Sequence, residues 1–257
     1  MSTENRTALH RVSACLRATM NCGSNVFRLP PFTVMIDAAS SDPLRNYAIP
    51  DDGAEPGEAG IAVLVAFFAA TGRTARLEYI PDLAPAVLPC LQSHGFTAER
   101  LLPLMTCTRA TLAPVPDLPD VEWLMAERAA DLEAAARLQN EAHGGGETTT
   151  ADIERLRHAV RAGGGVALAR AAGSGEPLGS GLYAPPHDGV TEIAAIGVRP
   201  SARRRGIGGG VAALLAARAM DRGIAFPFLM TAREEAAWRT YRRIGFADCG
   251  TMLHIAR

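Results

Sequence analysis

Val198-Arg199-Pro200-Ser201-Ala202-Arg203-Arg204-Arg205-Gly206-Ile207-Gly208-Gly209-Gly210 is the stretch on which the reading of this chain turns. It lies between an apolar run over 190–198, expected as a strand, and an Ala- and Leu-rich run over 206–222, expected as a helix. Glycines at such a turn let the backbone approach a ligand closely, and the free N–H groups of the first helical turn point outward. Together with the helix dipole and three consecutive arginines, the segment makes a cradle for a pyrophosphate. Three other readings compete. A dinucleotide fingerprint would need a third glycine where Val211 stands. A basic nucleic-acid patch gives no reason for a glycine-rich helix start. A loop merely packed by glycines leaves the three arginines unexplained.

Outward from this segment the second half reads as a mixed α/β pattern. A strand is expected over 121–125 and a helix over 131–143, stopped at Gly144-Gly145-Gly146. Thr150 or Asp152 is the expected cap of a second helix running to about 162. Strands follow over 166–171, 178–183 and 190–198, separated by Gly173-Ser174-Gly175 and by Pro185-Pro186-His187-Asp188-Gly189. After the glycine-rich helix come a strand over 226–231, a helix over 234–244 and a last strand over 246–255. The order predicts a strand meander followed by a strand–helix–strand crossover.

The first half is poorer in signals, but its end repeats the order of the second. A helix over 61–71, a strand over 76–80, a helix over 84–94, Gly95-Phe96 and a strand ending near Cys107 match the later elements at an offset of 150 residues, since Gly245-Phe246 corresponds to Gly95-Phe96. An internal repeat is the expectation. The proline-rich stretch Ala113-Pro114-Val115-Pro116-Asp117-Leu118-Pro119-Asp120 cannot continue a helix or pair as a central strand, and marks the expected boundary. This gives domains over 1–115 and 116–257.

Composition narrows the chemistry. All 26 basic residues are arginine, so a Walker loop, a Schiff-base lysine and a kinase-type lysine are excluded. The formal net charge of −1 offers no global attraction to nucleic acid or to acidic membrane surfaces. The longest apolar stretch, 61–70, is too short to span a bilayer, and the N-terminal sequence lacks the apolar core of a secretory signal. Cys15, Cys22, Cys90, Cys107 and Cys249 lack paired metal-site spacing and are expected as free buried thiols, so no metal is expected. A cytoplasmic protein without membrane or nucleic-acid partners is the consistent expectation.

The pattern Val-x-Pro-x-x-Arg-x-x-Gly-x-Gly, here Val198, Pro200, Arg203, Gly206 and Gly208, resembles the acyl-CoA loop of the GNAT acetyltransferase superfamily. Ala236-Ala237-Trp238-Arg239-Thr240-Tyr241-Arg242-Arg243-Ile244-Gly245-Phe246 resembles the second motif of that family, A-x-x-x-Y-x-x-x-G-F. The likeness covers most of 121–257. One departure is visible: the family often has Asn shortly before the second helix, where this chain reads Thr231-Ala232-Arg233-Glu234-Glu235.

The resemblance implies two GNAT-like mixed α/β domains, each a central, largely antiparallel sheet flanked by helices. It implies acetyl-CoA as co-substrate, with the backbone of Ile196, Gly197 and Val198 pairing with the pantetheine arm and Arg203, Arg204, Arg205, Gly206, Ile207, Gly208 and Gly209 holding the pyrophosphate. Tyr241 is then the expected general acid for the departing thiolate. Glu192 is the candidate base, a lone acid in an apolar strand; an acid facing solvent or paired with an arginine is the alternative. Glu141, His143 and Tyr183 are weaker acceptor-side candidates. The implied activity is direct transfer of an acetyl group to a primary amine of a small molecule or peptide. A non-catalytic acyl-CoA-sensing module is the alternative, and a homodimer is left open. In the first half, Gly53-Ala54-Glu55-Pro56-Gly57-Glu58-Ala59 aligns with the arginine loop and Leu91 with Tyr241, so that half is expected to be degenerate and to bind no coenzyme.

Overall fold

The computed structural model describes residues 3–20, 25–38 and 40–257. Cys22, expected as a free buried thiol, lies outside the described residues. The chain divides into two compact units. The first takes residues 1–104 and 249–257, and the second takes 105–248.

In the second unit, β6 (Val121–Met125) is followed by helices α4 (Ala129–Ala142) and α5 (Thr150–Arg161), strands β7 (Gly165–Ala171), β8 (Pro177–Tyr183) and β9 (Val190–Val198), helix α6 (Ile207–Asp221), strand β10 (Phe226–Met230) and helix α7 (Ala236–Arg243). Its strands lie in the order β10-β9-β8-β7-β6. Neighbours from β6 to β9 are antiparallel, and β10 lies parallel to β9 after the α6 crossover. On one face α4 and α5 place Leu132, Ala135, Ala136 and Leu156 against Val166, Leu168 and Leu182. On the other, the small-residue face of α6 buries Val211, Ala212, Leu215, Ala216 and Ala219 against Ala167, Ala169, Leu178 and Leu229. Glycines in β8 set the depth of that contact: a Cβ at Gly179 would stand 2.5 Å from Ile207 Cγ2, and one at Gly181 would stand 3.0 Å from Val211 Cγ1.

The expected cap of α5 moves by one residue. Thr149 is extended and caps the helix, its hydroxyl accepting from Asp152 N–H while Asp152 Oδ2 accepts from Thr149 N–H at 2.9 Å. Thr150 is already helical, so it cannot serve as the cap.

The first unit comprises α1 (Thr3–Met20), β1 (Asn25–Leu29), β2 (Phe32–Ile36), β3 (Tyr47–Pro50), α2 (Glu58–Ala70), β4 (Arg76–Tyr79), α3 (Val87–Ser93) and most of β5 (Thr97–Thr106), with β11 (Ala247–Ala256) from the end of the chain. β1, β2 and β3 are antiparallel, β4 lies parallel to β3, and β11 pairs antiparallel with β4, His254 opposite Glu78. Helix α1 buries Leu9, Val12, Cys15, Leu16 and Met20 on one face. Asp52, in the loop after β3, accepts from Ser13 and Arg17 of that helix at 2.8 and 2.9 Å and ties it down. α3 starts later than expected, at Val87, after a separate 3-10 turn over Pro81–Leu83. Adding 150 to α2, β4, α3 and β5 reproduces α6, β10, α7 and β11 to within a residue or so.

Two expectations of organisation change. The division falls between Leu104 and Met105, inside β5, and not at the proline-rich stretch. That stretch is part of the second unit: Leu112, Val115 and Leu118 pack on its core, and Ala113 N–H donates to Ile244 C=O at 3.0 Å. Cys249 to Arg257 belong to the first unit, because β11 completes the sheet beside β4. Cys15, Cys107 and Cys249 are buried thiols outside any disulfide, whereas Cys90 is only half-buried.

Candidate active site

The parallel pairing of β9 with β10 is short. It runs through Val190, Thr191 and Glu192 opposite Phe226, Pro227 and Phe228 and stops there. On the other edge of β9 the register to β8 slips. Ser180 faces Gly197 but Leu182 faces Ala194, so Ala195 and Ile196 together oppose Gly181 alone. This is a β-bulge, and Ala195 takes φ +52° to make it. A positive φ in an alanine is costly, and such strain is held where the backbone must be re-aimed. Past Glu192, then, β9 offers Ile193 to Val198 with no β10 register, bent by a bulge.

Gly197 and Val198 occupy the end of this segment. Gly197 is required by α4, because a Cβ there would stand 2.6 Å from Ala142 Cβ. Pro200–Ala202 then form a 3-10 turn, and Arg203 Nε donates back to Val198 C=O at 3.2 Å. Arg204 (φ +67°) and Gly206 (φ +83°) carry the chain through the left-handed region into α6. The first turn of α6 therefore follows directly on the three arginines. Arg203, Arg204 and Arg205 are exposed. Arg205 is paired with the Asp120 carboxylate; Asp120 C=O also accepts from Ala172 N–H at 3.0 Å.

The glycine run after Gly206 divides into different roles. A Cβ on Gly208 would meet only Val198 Cγ2, at an ordinary 3.4 Å. A Cβ on Gly209 would press on Thr240 Cγ2 at 3.0 Å, and one on Gly210 would fall 2.2 Å from the Trp123 ring. Gly209 and Gly210 thus serve the packing of α6 against α7 and β6. Ile207, at the first helical position, is a buried core residue.

Gly209 also brings α7 alongside the first turn of α6. Tyr241, on α7, is 8% exposed, with its ring 6.2 Å from that of Phe246. Burial, followed by the negative charge of Glu235, pushes its phenol well above the ordinary tyrosine range, so it is protonated at physiological pH. Gly245, at φ +99°, lets the chain turn out of α7: a Cβ would stand 1.8 Å from Thr111 C=O. Trp238 takes the Arg233 and Arg242 guanidinium groups on its ring at 5.5 and 4.9 Å and donates to Asp248 at 3.1 Å. Glu192 is half-buried at the last registered β9–β10 pair. The weaker candidates have structural duties. Glu141 pairs with Arg199 at 3.5 Å, His143 caps α4, and Tyr183 is buried against Gly165.

The sequence reading missed the bulge at Ala195, the Asp120–Arg205 pair and the Glu235 carboxylate near Tyr241. Only the last had a visible signal, the glutamates where the family often has Asn.

The second unit thus combines a strand that loses its parallel neighbour, a bulge in that strand, and an arginine- and glycine-rich start to the helix that follows. Residues 132–246 match the model of the Acetyltransferase (GNAT) family. Over nearly the whole chain the fold is similar to that of a GCN5-related N-acetyltransferase from Kribbella flavida. That match has a TM-score of 0.78 at 23% identity and covers 96% of this chain and 95% of the other. A GCN5-related N-acetyltransferase from Sphaerobacter thermophilus matches with a TM-score of 0.65 at 16% identity, covering 97% and 91%. A tandem GNAT protein from the clavulanic acid biosynthesis pathway matches with a TM-score of 0.61 at 12% identity, covering 88% and 78%. No curated protein matches the sequence. The family match supports acyl transfer as the general chemistry, and among the described residues no helix is long and apolar enough to cross a membrane.

Proposed function

We propose that this chain is a tandem GNAT protein that moves an acetyl group from acetyl-CoA to a primary amine of a small molecule or peptide in the cytoplasm. In this reading the second unit is catalytic and the first is degenerate. The observation that carries it is the end of β9–β10 pairing at Glu192 opposite Phe228, inside the family match. The residues beyond it fit the coenzyme: the backbone of Ile196, Gly197 and Val198 can receive a pantetheine arm as an added strand. Arg203 to Gly208 and the α6 N-terminus can receive the pyrophosphate.

In the proposed chemistry a neutral amine attacks the thioester carbonyl directly. The C–N bond forms, the C–S bond breaks, and Tyr241 gives its proton to the departing thiolate. Glu192, through a water, is the proposed acceptor of the amine proton. Support for a degenerate first unit comes from the loop at Gly53 to Ala59. There Glu55 and Glu58 are exposed where the second unit has Arg205 and Gly208, and fully buried Leu91 stands in place of Tyr241.

Calorimetry of the full chain with acetyl-CoA, followed by coenzyme release with a panel of amines and the mass of the product, tests the proposal. One coenzyme bound per chain and an acetylated amine are expected. Binding without turnover on any amine would favour the acyl-CoA-sensing alternative, and absence of binding would overturn both.

A further inference from the structure

The outward face of α2 is apolar. Between Glu58 and Arg73 the chain carries no charged residue, yet only Ile61, Leu64 and Phe68 of the helix are buried. Val63 is 54% exposed, and Ala59, Ala62, Ala66 and Ala70 are exposed as well. The patch continues onto β1: Phe27, 38% exposed, has its ring 5.0 Å from that of Phe67. A contiguous apolar strip of this kind marks an interaction surface.

The internal repeat shows what normally covers such a face. At the 150-residue offset Gly60, Val63 and Ala66 correspond to Gly210, Ala213 and Ala216, and both of those alanines are fully buried. Trp123 of β6 fills the space beside Gly210, where an added Cβ would fall 2.2 Å from the ring; at Gly60 an added Cβ would meet only Pro31 Cδ, at 3.9 Å. Outward from each parallel pair, β9-β8-β7-β6 in the second unit is matched by β3-β2-β1 in the first. β1 stands at the end of its sheet, and among the described residues no strand takes the place of β6. The first unit therefore presents an open strand edge beside an open helix face.

Both openings suit one occupant. We propose that β1 and α2 form the interaction surface for a second copy of this chain, with the two β1 strands pairing antiparallel about a two-fold axis at Phe27. In that register Phe27 opposes Phe27, and Arg28 opposes Val26 instead of another arginine. Arg28 is turned onto Asp51 of its own chain at 3.0 Å. The pairing satisfies the N–H and C=O groups of the edge. It also lays the two α2 helices antiparallel on one face of the joined sheet, closing their apolar faces over the seam. Glu58 at the start of each helix then lies toward Arg73, just past the end of the other. The Arg73 guanidinium donates to Asn46 Oδ1 at 3.3 Å and to Asp37 C=O at 3.2 Å, both uncharged acceptors. A second copy thus supplies the strand, the apolar cover and the opposite charges together.

Sedimentation equilibrium of the full chain over a micromolar concentration series should show a dimer. Val63→Arg places like charges in the seam and should raise its dissociation constant about 100-fold or more. Leu101→Arg, at a residue of β5 that is 61% exposed, should leave the dimer unchanged. Circular dichroism should find both variants folded, since neither side chain is buried. Directly opposed Cα atoms of an antiparallel pair lie about 4.5–5.5 Å apart, within disulfide reach. Phe27→Cys should therefore crosslink two chains under mild oxidation, whereas Leu101→Cys and the wild type, with its native thiols, should not. A wild-type chain that is monomeric throughout overturns the inference. So does a dimer that Val63→Arg and Leu101→Arg affect equally, or one that Phe27→Cys does not crosslink.

Discussion

The glycine run at the start of α6 makes a prediction in which stability and ligand binding move apart. A methyl group at Gly210 would have to share space with the Trp123 ring, whose nearest carbons stand 2.2, 2.8 and 2.8 Å from the added Cβ. Overpacking of this kind costs about 1–3 kcal/mol. Alanine is a better helix former than glycine by roughly 0.5–1 kcal/mol, so Gly210→Ala should lose about 1–2 kcal/mol net. At about 2–4 °C per kcal/mol for a chain of this size, Tm should fall by roughly 4 °C. Gly208→Ala meets only Val198 Cγ2 at 3.4 Å. It keeps the helix-propensity gain and should leave Tm unchanged or slightly raised. The binding effects run the other way. Gly208 faces the proposed pyrophosphate site, so Gly208→Ala should weaken acetyl-CoA by about 1 kcal/mol or more through a lost backbone approach. Gly210→Ala should bind nearly normally once folded. Thermal denaturation followed by circular dichroism, with calorimetric titration of acetyl-CoA, reads both. Adding Trp123→Leu should recover stability in the Gly210→Ala background, with a coupling of about 1 kcal/mol or more. If Gly210→Ala proved as stable as the wild type, or if the two alanine variants shared one phenotype, the division of roles along the run would be refuted.

Tyr241→Phe keeps the ring packing against Phe246 and removes only the hydroxyl; kcat should drop about 10²-fold with acetyl-CoA affinity intact, as measured by turnover and calorimetry. Arg205→Glu should weaken acetyl-CoA by about 2 kcal/mol or more, whereas Asp120→Asn frees Arg205 from its partner and should tighten it a few-fold, no more, because the pair is exposed; pantetheine binding should respond to neither. In the first unit, burial raises Glu78 to about 7 and lowers His254 to about 4, with Arg76 between them hydrogen-bonded to both. Glu78 therefore contributes stability that is lost as pH rises through 7, while the contribution of His254 is lost as pH falls through 4. Between about 4.5 and 6.5 the two slopes oppose each other, so Glu78→Gln should leave a stability that rises with pH across that window, where the wild type is flatter; urea unfolding from pH 4.5 to 7 measures the difference.

What the sequence made legible was local. The strands and helices of the second half were placed to within a residue or two because each apolar run is bracketed by glycine or proline. The arginine loop was readable because its chemistry is written in consecutive residues. The glycines that follow it were not separable by inspection. Gly209 answers to Thr240 and Gly210 to Trp123, partners brought near only by the packing of α6. The first half hid more. α1 spaces Leu9, Val12, Leu16 and Met20 at helical intervals, a stripe that can be read, but polar residues outnumber it and the masking was compositional. The unit to which the last strand belongs could not be read at all: nothing in Ala247–Ala256 says that its partner is β4, since strand patterning records which face is buried and not which neighbour supplies the hydrogen bonds.

The bulge at Ala195 lies furthest from the sequence. Alanine has no preference for positive φ, so no residue type announces it. The conformation is imposed from both sides, by Ser180 opposite Gly197 and Leu182 opposite Ala194, two registers that a regular strand cannot satisfy together. Gly197 accepts its register because Ala142 of α4 leaves no room for a side chain there. The bend in β9 is thus fixed by α4 on one face and by β8 along the edge. The segment with no β10 register is therefore held in shape before any ligand arrives, which lowers the ordering cost of adding a strand to it.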